Sequence, residues 1–202
     1  MNVTEIRVVD CVPFENYPFK IQDNSDMEML IDSIKESGVL IPIVVRPKGK
    51  EYEILSGHRR IYACKMAGID KVPAIIRELS RDEAVIFMVD SNLHREGLLP
   101  SEKGFAYKMK LEAMKRQAGR PTKENGSQLG NDFGKKSSEL LAEQVGQSKN
   151  QIFRYIRLTE LIPELLDMVD EKKIALNPAY ELSFLKKEEQ RDLLDAMESE
   201  QA

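Results

Sequence analysis

In the first hundred residues, short apolar and β-branched runs alternate with stretches whose apolar residues recur every three or four positions. Runs of the first kind read as strands and stretches of the second kind as amphipathic helices. The stretch "EIRVVDCVPF" (5–14) predicts a strand running into a loop. Apolar residues at 27, 30, 31 and 34 predict a helix over Met27–Ser37, with Ser25 or Asp26 as N-cap and Gly38 as its stop. "IPIVVRP" (41–47) and "EYEILS" (51–56) predict two strands joined by the Lys48-Gly49-Lys50 turn. A helix over Gly57–Ala67 ends at Gly68, and "VPAIIREL" (72–79) is another strand. A helix over Ser80–His94 opens on a capping box, Ser80 with Glu83 three residues on. Strands and helices interleaved at this length predict a small α+β domain ending near Leu98.

Beyond Pro100 the period is helical throughout. A long helix spans Ser101–Arg116, with Pro100 and Ser101 as its start signal. Residues 117–136, "QAGRPTKENGSQLGNDFGKK", are rich in Gly, Asn and Lys with almost no apolar period, and read as a mobile loop. From Ser137 the chain is helical again, with breaks at Pro163 and at Asn177-Pro178. The expected domains are therefore 1–98, a connecting helix and loop over 99–136, and an all-α domain over 137–202.

Within the last of these, "LLAEQVGQSKNQIFRYIRL" (140–158) has the pattern of a helix-turn-helix. Small Ala142 suits a close helix crossing, and Gly146 falls where the turn needs a positive φ. Val145, Ile152 and Tyr155 hold the core positions, and Ser148 caps the second helix. Lys149, Asn150, Gln151, Phe153 and Arg154 are left on the outer face. Lysine and arginine suit phosphate or guanine, and asparagine suits adenine, so Ser148, Lys149, Asn150, Gln151 and Arg154 are the candidate DNA contacts. Arg157 and Lys173 are weaker candidates for the DNA backbone.

Charge sharpens this picture. The chain of 202 residues carries a net charge of −4, which argues against a uniformly basic nucleic-acid binder. Residues 101–160, however, hold 12 Lys/Arg against 7 Asp/Glu, between flanks with 13 against 16 and 5 against 11. The one basic segment coincides with the helix-turn-helix, and local phosphate neutralisation is what counts for affinity. Two cysteines, Cys11 and Cys64, make no disulfide framework, and with His58 and His94 they make no zinc site of ordinary spacing. No secretory leader pattern follows Met1 and no apolar run is long enough to span a bilayer, so the expectation is a cytoplasmic protein with no membrane partner.

A further feature lies at "LSGHRRIYACKMAG" (55–68), where two arginines follow a glycine at a strand-to-helix turn. A helix N-terminus already carries partial positive charge and free N–H groups, so Arg59 and Arg60 make sense there with an anion such as phosphate. The alternative is a surface helix that tolerates both cations. A second polar cluster, "DSNLHREGL" (90–98), offers Asn92 as a phosphate or metal ligand and Arg95 one turn on. Otherwise Asn92 is a C-cap and Arg95 a partner of Asp90 or Glu96.

From "GVLIPIVVRP" through "LSGHRRIYACKMAGIDKVPAIIREL" to "SNLHREGLLPSEKGFAY" and the helix-turn-helix, the chain resembles the ParB family of partition proteins. "YPFKIQD" (17–23) is similar to the ParB-like proteins of mobile elements. The resemblance implies an α+β ParB/sulfiredoxin-like N-terminal domain that binds CTP and Mg2+, and an all-α domain that reads a palindromic centromere-like site. It implies a homodimeric clamp on double-stranded DNA, closed by CTP, on nucleoid or plasmid, with a ParA-type ATPase as a further partner. By position, Gly57, His58, Arg59 and Arg60 match one nucleotide-binding box, and Ser91, Asn92 and Arg95 match a second, with Asn92 as the metal ligand. His58 and Ser91 stand where the family has glutamates, and Ile41 where it has a glutamine. Ser91 replaces the glutamate linked to hydrolysis, so the expectation is nucleotide binding with slow or undetectable CTPase activity, in which His58 is the remaining candidate base. The alternative function is that of a transcriptional regulator of a mobile element, without partition activity. The sulfiredoxin enzymes carry a reactive cysteine in their corresponding turn; Ser56-Gly57-His58-Arg59 has none.

Overall fold

The computed structural model describes residues 2–118 and 137–201. The chain divides into two compact units, Met1–Asn92 and Leu93–Ala202.

The first unit is built on a five-stranded mixed sheet. Its strands are β1 (Val3–Arg7), β2 (Cys11–Val12), β3 (Ile43–Lys48), β4 (Glu51–Ser56) and β5 (Lys71–Ile76), in spatial order β1-β5-β3-β4-β2. β3 and β4 form the hairpin that the Lys48-Gly49-Lys50 turn predicts, with Gly49 at φ 66°. β5 returns parallel to β3 after crossing over through α2 (His58–Ala67), and β1 pairs antiparallel with β5. The remaining helices are α1 (Ser25–Ser37) and α3 (Arg81–Leu93), whose last residue already belongs to the second unit.

The core joins Ile43, Val45 and Ile54 of the hairpin to Val72 and Ala74 of β5 and to Met27, Ile34, Ile61 and Cys64 of α1 and α2. Burial raises the pKa of both cysteine thiols, that of Cys11 to about 11, so both stay protonated near neutral pH.

Two details differ from the sequence expectation. The first strand is broken: Val8–Asp10 forms a 3-10 turn, and the chain resumes as β2 against a different neighbour, β4. Asp10 accepts from the Arg7 guanidinium at 2.7 and 2.8 Å, a local pair that favours the turn. The α1 cap is neither Ser25 nor Asp26. Asn24, in extended conformation, accepts from the Met27 N–H with its side chain.

The sheet also buries a carboxylate. Glu53 is fully enclosed, and receives Arg46 at 2.7 Å, Lys48 at 3.1 Å and Arg81 at 3.2 Å, with the Glu15 N–H at 3.3 Å. Burial alone raises its pKa, but the hydrogen bonds from Arg46 and Lys48 outweigh that and hold it below the usual carboxylate range. An isolated buried charge costs several kcal/mol, so removing one partner here is far more damaging than at a surface pair.

The second unit is all helical among its described residues: α4 (Pro100–Ala118), α5 (Ser137–Val145), α6 (Lys149–Leu158), α7 (Pro163–Asp170), α8 (Leu176–Leu182) and α9 (Lys187–Gln201). Helix α4 runs two residues further than expected, so Gln117 and Ala118 are helical; the rest of the proposed loop, 119–136, lies outside the described residues. The start of α4 is tied to the end of α7, where the Ser101 N–H and hydroxyl both donate to the Asp170 carboxylate at 2.9 and 2.5 Å.

Two clusters form the interior. One joins Leu158, Leu161, Ile162, Leu165 and Val169 to Ile174 and Ala179. The other joins Tyr107 and Leu111 of α4 to Leu141 and Ile152. Helices α4 and α6 cross closely at Gly104, where a Cβ would lie 2.5 Å from the Tyr155 carbonyl oxygen. Buried Gln190 knits α9 onto the α6–α7 turn, accepting from the Ile162 N–H at 2.8 Å and donating to the Leu185 carbonyl at 3.0 Å. No helix among the described residues is long and apolar enough to cross a membrane.

Candidate functional site

The helix-turn-helix forms as its pattern predicts. Helix α5 ends at Val145, Gly146 takes φ 63°, and the Gln147 N–H closes the turn on the Ala142 carbonyl at 3.1 Å. Ser148, extended, accepts from the Gln151 N–H at 3.2 Å and starts α6. Ile152 is fully buried, whereas Asn150 and Phe153 are exposed and Lys149, Gln151 and Arg154 are half-exposed. The outward row is thus a capped helix start followed by cationic and amide side chains, the chemistry that base edges and phosphates accept.

Its members are not equally available. Lys149 lies 3.7 Å from Glu139, a surface pair worth little. Arg154 donates to the Asn177 side-chain oxygen at 3.1 Å, with its guanidinium 5.8 Å from the centre of the Tyr180 ring. Arg157 is different. Its Nε donates to the Ser183 hydroxyl at 3.1 Å, its Nη2 to the Ser183 carbonyl at 2.8 Å, and the guanidinium lies 4.3 Å over the Phe184 ring. Arg157 thus fastens α6 to the end of α8. Lys173 is exposed and paired with Glu171 at 2.7 Å. Of these partners, Asn177, Tyr180 and Ser183 went unnoticed in the sequence, because only the fold brings α8 beside α6.

The glycine-arginine turn is equally specific. Gly57 takes φ 110°, and a Cβ there would lie 2.5 Å from Ile43 Cγ2, so the backbone must pass against the start of β3 without a side chain. Gly57 supplies no side-chain cap to α2, leaving the first-turn N–H groups to another acceptor. Arg60 is spent on the fold: its guanidinium donates to the Ile41 carbonyl and, at 2.8 Å, to that of Pro42. Arg59 is half-buried, and its Nε is buried without a hydrogen-bond partner among the described residues.

His58 is 5% exposed. Its Nε2 accepts from the Phe14 N–H at 3.4 Å, and its ring stacks on Tyr17 with centroids 3.6 Å apart. Burial pushes its pKa down to about 4, against the opposing pull of Glu53. A neutral imidazole that accepts at Nε2 carries its proton on Nδ1, and that atom is the second buried group without a partner. Buried polar groups nearly always have partners, so two orphan donors on consecutive residues at an uncapped helix start fit an anionic ligand. They do not fit His58 as a base: its acceptor nitrogen is occupied and its basicity is suppressed.

At the end of α3, Asn92 donates from Nδ2 to the Met88 carbonyl at 2.8 Å and to the Ser91 hydroxyl at 3.2 Å. Its Oδ1 accepts from the Tyr17 hydroxyl at 3.4 Å. The Ser91 hydroxyl donates to the Met88 carbonyl at 2.9 Å, turned back on its own helix. No group of three or more His, Cys, Asp or Glu residues able to hold a metal occurs among the described residues. Asn92 Oδ1 suits a magnesium ion that takes most of its ligands from phosphate and water. Arg95 belongs to the second unit, where it lines a cleft of about 230 Å³ with His94, Lys103, Tyr107 and Gln147.

An α+β domain with an anion-receptive turn, followed by an all-helical unit, defines a helix-turn-helix protein of two-domain type. Residues 1–93 match the family model of the ParB N-terminal domain and residues 127–202 that of the ParB HTH domain. The chain belongs to the ParB family. It is 30% identical over 187 residues to the chromosome-partitioning protein Spo0J of Thermus thermophilus, covering 93% of this chain and 62% of that protein. It is 32% identical over 184 residues to the stage 0 sporulation protein J of Bacillus subtilis, covering 91% of this chain and 58% of that protein. The chain thus spans about three-fifths of the length of these two relatives. Its fold is similar to that of the C-terminally truncated chromosome-partitioning protein ParB from Caulobacter crescentus complexed to the centromeric parS site. The TM-score is 0.54 at 23% identity, covering 91% of this chain and 86% of that one.

Proposed function

We propose that this protein is a ParB-type DNA-binding protein that recognises a centromere-like, palindromic duplex site as a homodimer and uses CTP to close as a clamp on DNA. Its place is then on the nucleoid or a plasmid, in partition, with a ParA-type ATPase as partner. The observation that carries the reading is the outer face of α6: a Ser148-capped helix start presenting Lys149, Asn150, Gln151 and Arg154, inside the one basic segment of the chain. The Caulobacter relative, crystallised with its parS site, supports the choice of ligand.

CTP enters by family resemblance. The orphan donors of His58 and Arg59 and the free N–H groups of α2 would take its phosphates, and Asn92 Oδ1 would face the magnesium. Bound magnesium would neutralise phosphate charge. Ser91 is too weakly basic to activate a water, and its proton is already committed to Met88, so CTP turnover is slow and the clamp opens by nucleotide loss.

The test is fluorescence anisotropy on palindromic duplexes across a salt series, with and without CTP. Arg154→Ala should cost about 1–3 kcal/mol at one base position if it reads guanine, and Lys149→Ala should reduce the log–log salt slope by about one if it meets phosphate. Unchanged binding in both variants would overturn the assignment of α6. Site-specific binding indifferent to CTP, in a protein that also fails to bind CTP by calorimetry, would instead make it a transcriptional regulator.

A further inference from the structure

We infer that Tyr17 is the positioning residue that joins the α2 turn and the end of α3 into one nucleotide site: its ring seats the His58 imidazole and its hydroxyl, donating to Oδ1, fixes which end of the Asn92 amide carries the oxygen. The inference rests on the nucleotide reading above.

The segment around Tyr17 has no regular secondary structure, yet it is fastened at every step. Phe14 and Phe19 are buried anchors at 2% and 3% exposure. The Phe14 N–H donates to His58, the Glu15 N–H to Glu53, and the Glu15 carbonyl accepts from Arg81 at 3.2 Å. The Arg81 guanidinium also lies 4.3 Å over the Phe14 ring. Asn16 takes φ 58°, the left-handed conformation that asparagine tolerates best among residues with a side chain. The Tyr17 N–H then returns to the Phe14 carbonyl at 3.1 Å, and the Tyr17 ring meets Phe19 edge-on at 5.4 Å. A tight turn between two buried aromatics therefore aims a single side chain.

That side chain touches both polar clusters. Its ring lies flat on His58, 18° from parallel. Combined with the Phe14 N–H on Nε2, the stack leaves the imidazole one tautomer and one donor, Nδ1–H, which has no protein partner among the described residues. At its far end the hydroxyl donates to Asn92 Oδ1. An amide can flip, and only its oxygen can meet a cation. Here Nδ2 is drawn to the Met88 carbonyl and Oδ1 to the Tyr17 hydroxyl, so both ends of the amide are assigned by opposite partners. Outer partners of this kind orient a ligand and tune the metal it holds.

Calorimetric titration of the full chain with CTP, in magnesium and in EDTA, separates the two contacts. Tyr17→Phe keeps the stack and loses the hydroxyl. It should leave magnesium-free affinity within about twofold and cut the gain that magnesium confers by about tenfold. Tyr17→Ala should lose that gain, weaken magnesium-free binding as well, and raise the His58 titration seen by NMR. A full magnesium gain in Tyr17→Phe would overturn the hydroxyl's role. An unmoved His58 titration in Tyr17→Ala would overturn the ring's role. A wild-type protein that binds no CTP in either buffer would overturn the nucleotide reading itself, and this inference with it.

Discussion

His58 is a buried titratable group, and its surroundings give that burial a measurable cost. The imidazole is buried, stacked and neutral, with a pKa near 4 against an ordinary 6.5. Between those values the unfolded chain binds a proton that the folded one refuses, so stability rises with pH across the window. The contribution is fully present above about pH 6.5 and is lost as pH falls toward 4, on the order of 3 kcal/mol in all. Glu53, whose pKa is lowered, adds to the loss only at the acid end of the window and below it. His58→Gln should therefore flatten the pH dependence of the urea midpoint between pH 6.5 and 4.5; an unchanged slope would show that His58 is not the group titrating. At this scale the sequence was informative about glycines and caps: Gly57, Gly146 and Ser148 do what their positions predict. It was silent about Tyr17, whose partners His58 and Asn92 lie in distant elements, and about the carbonyls and hydroxyl that hold Arg60 and Arg157. A cation's sequence position does not reveal whether a carbonyl will claim it.

Elements were legible where apolar period and punctuation agreed. The β3–β4 hairpin, α2 between two glycines and the α5–α6 pair all follow their patterns. The β1–β2 break was hidden because three of the six residues in "RVVDCV" are β-branched valines, and only the Arg7–Asp10 pair marks the turn. Two predictions belong to the packing of α6. Gly104→Ala puts a methyl group against the Tyr155 carbonyl at 2.5 Å, a backbone atom that cannot swing aside. It should cost about 1–3 kcal/mol in chemical denaturation, and a neutral outcome would mean that the α4–α6 crossing is looser than described. Asn177→Ala frees the Arg154 guanidinium without removing it. It should weaken DNA binding by about 1 kcal/mol, the worth of one ordinary hydrogen bond. It should act at the same base position as Arg154→Ala, and the two losses should not add. Additive losses in the double variant would show that Asn177 acts independently of Arg154.

Across the whole chain, charge and cores are partitioned. The first unit holds its own sheet core and the second its two helical clusters. The alternation of strands and helices puts the expected boundary near Leu98, whereas the compact units divide after Asn92. Arg154, the proposed DNA contact, is dressed by α8, a segment of acidic surroundings that composition alone sets apart from recognition. That arrangement sets the smallest piece that can be transplanted. A graft of 137–158 onto a foreign helix-turn-helix carries Arg154 and Arg157 but leaves behind Asn177, Tyr180, Ser183 and Phe184. Its arginines should arrive unoriented and bind DNA with little sequence preference. A graft of 93–202 carries the whole support and should transfer this protein's target preference to the recipient. Equal discrimination by the two chimaeras, read by competition between cognate and scrambled duplexes, would mean that recognition lives in the short helix alone. Otherwise the heritable unit of specificity is the helix together with the wall behind it, and a change of target calls for paired substitutions on α6 and α8.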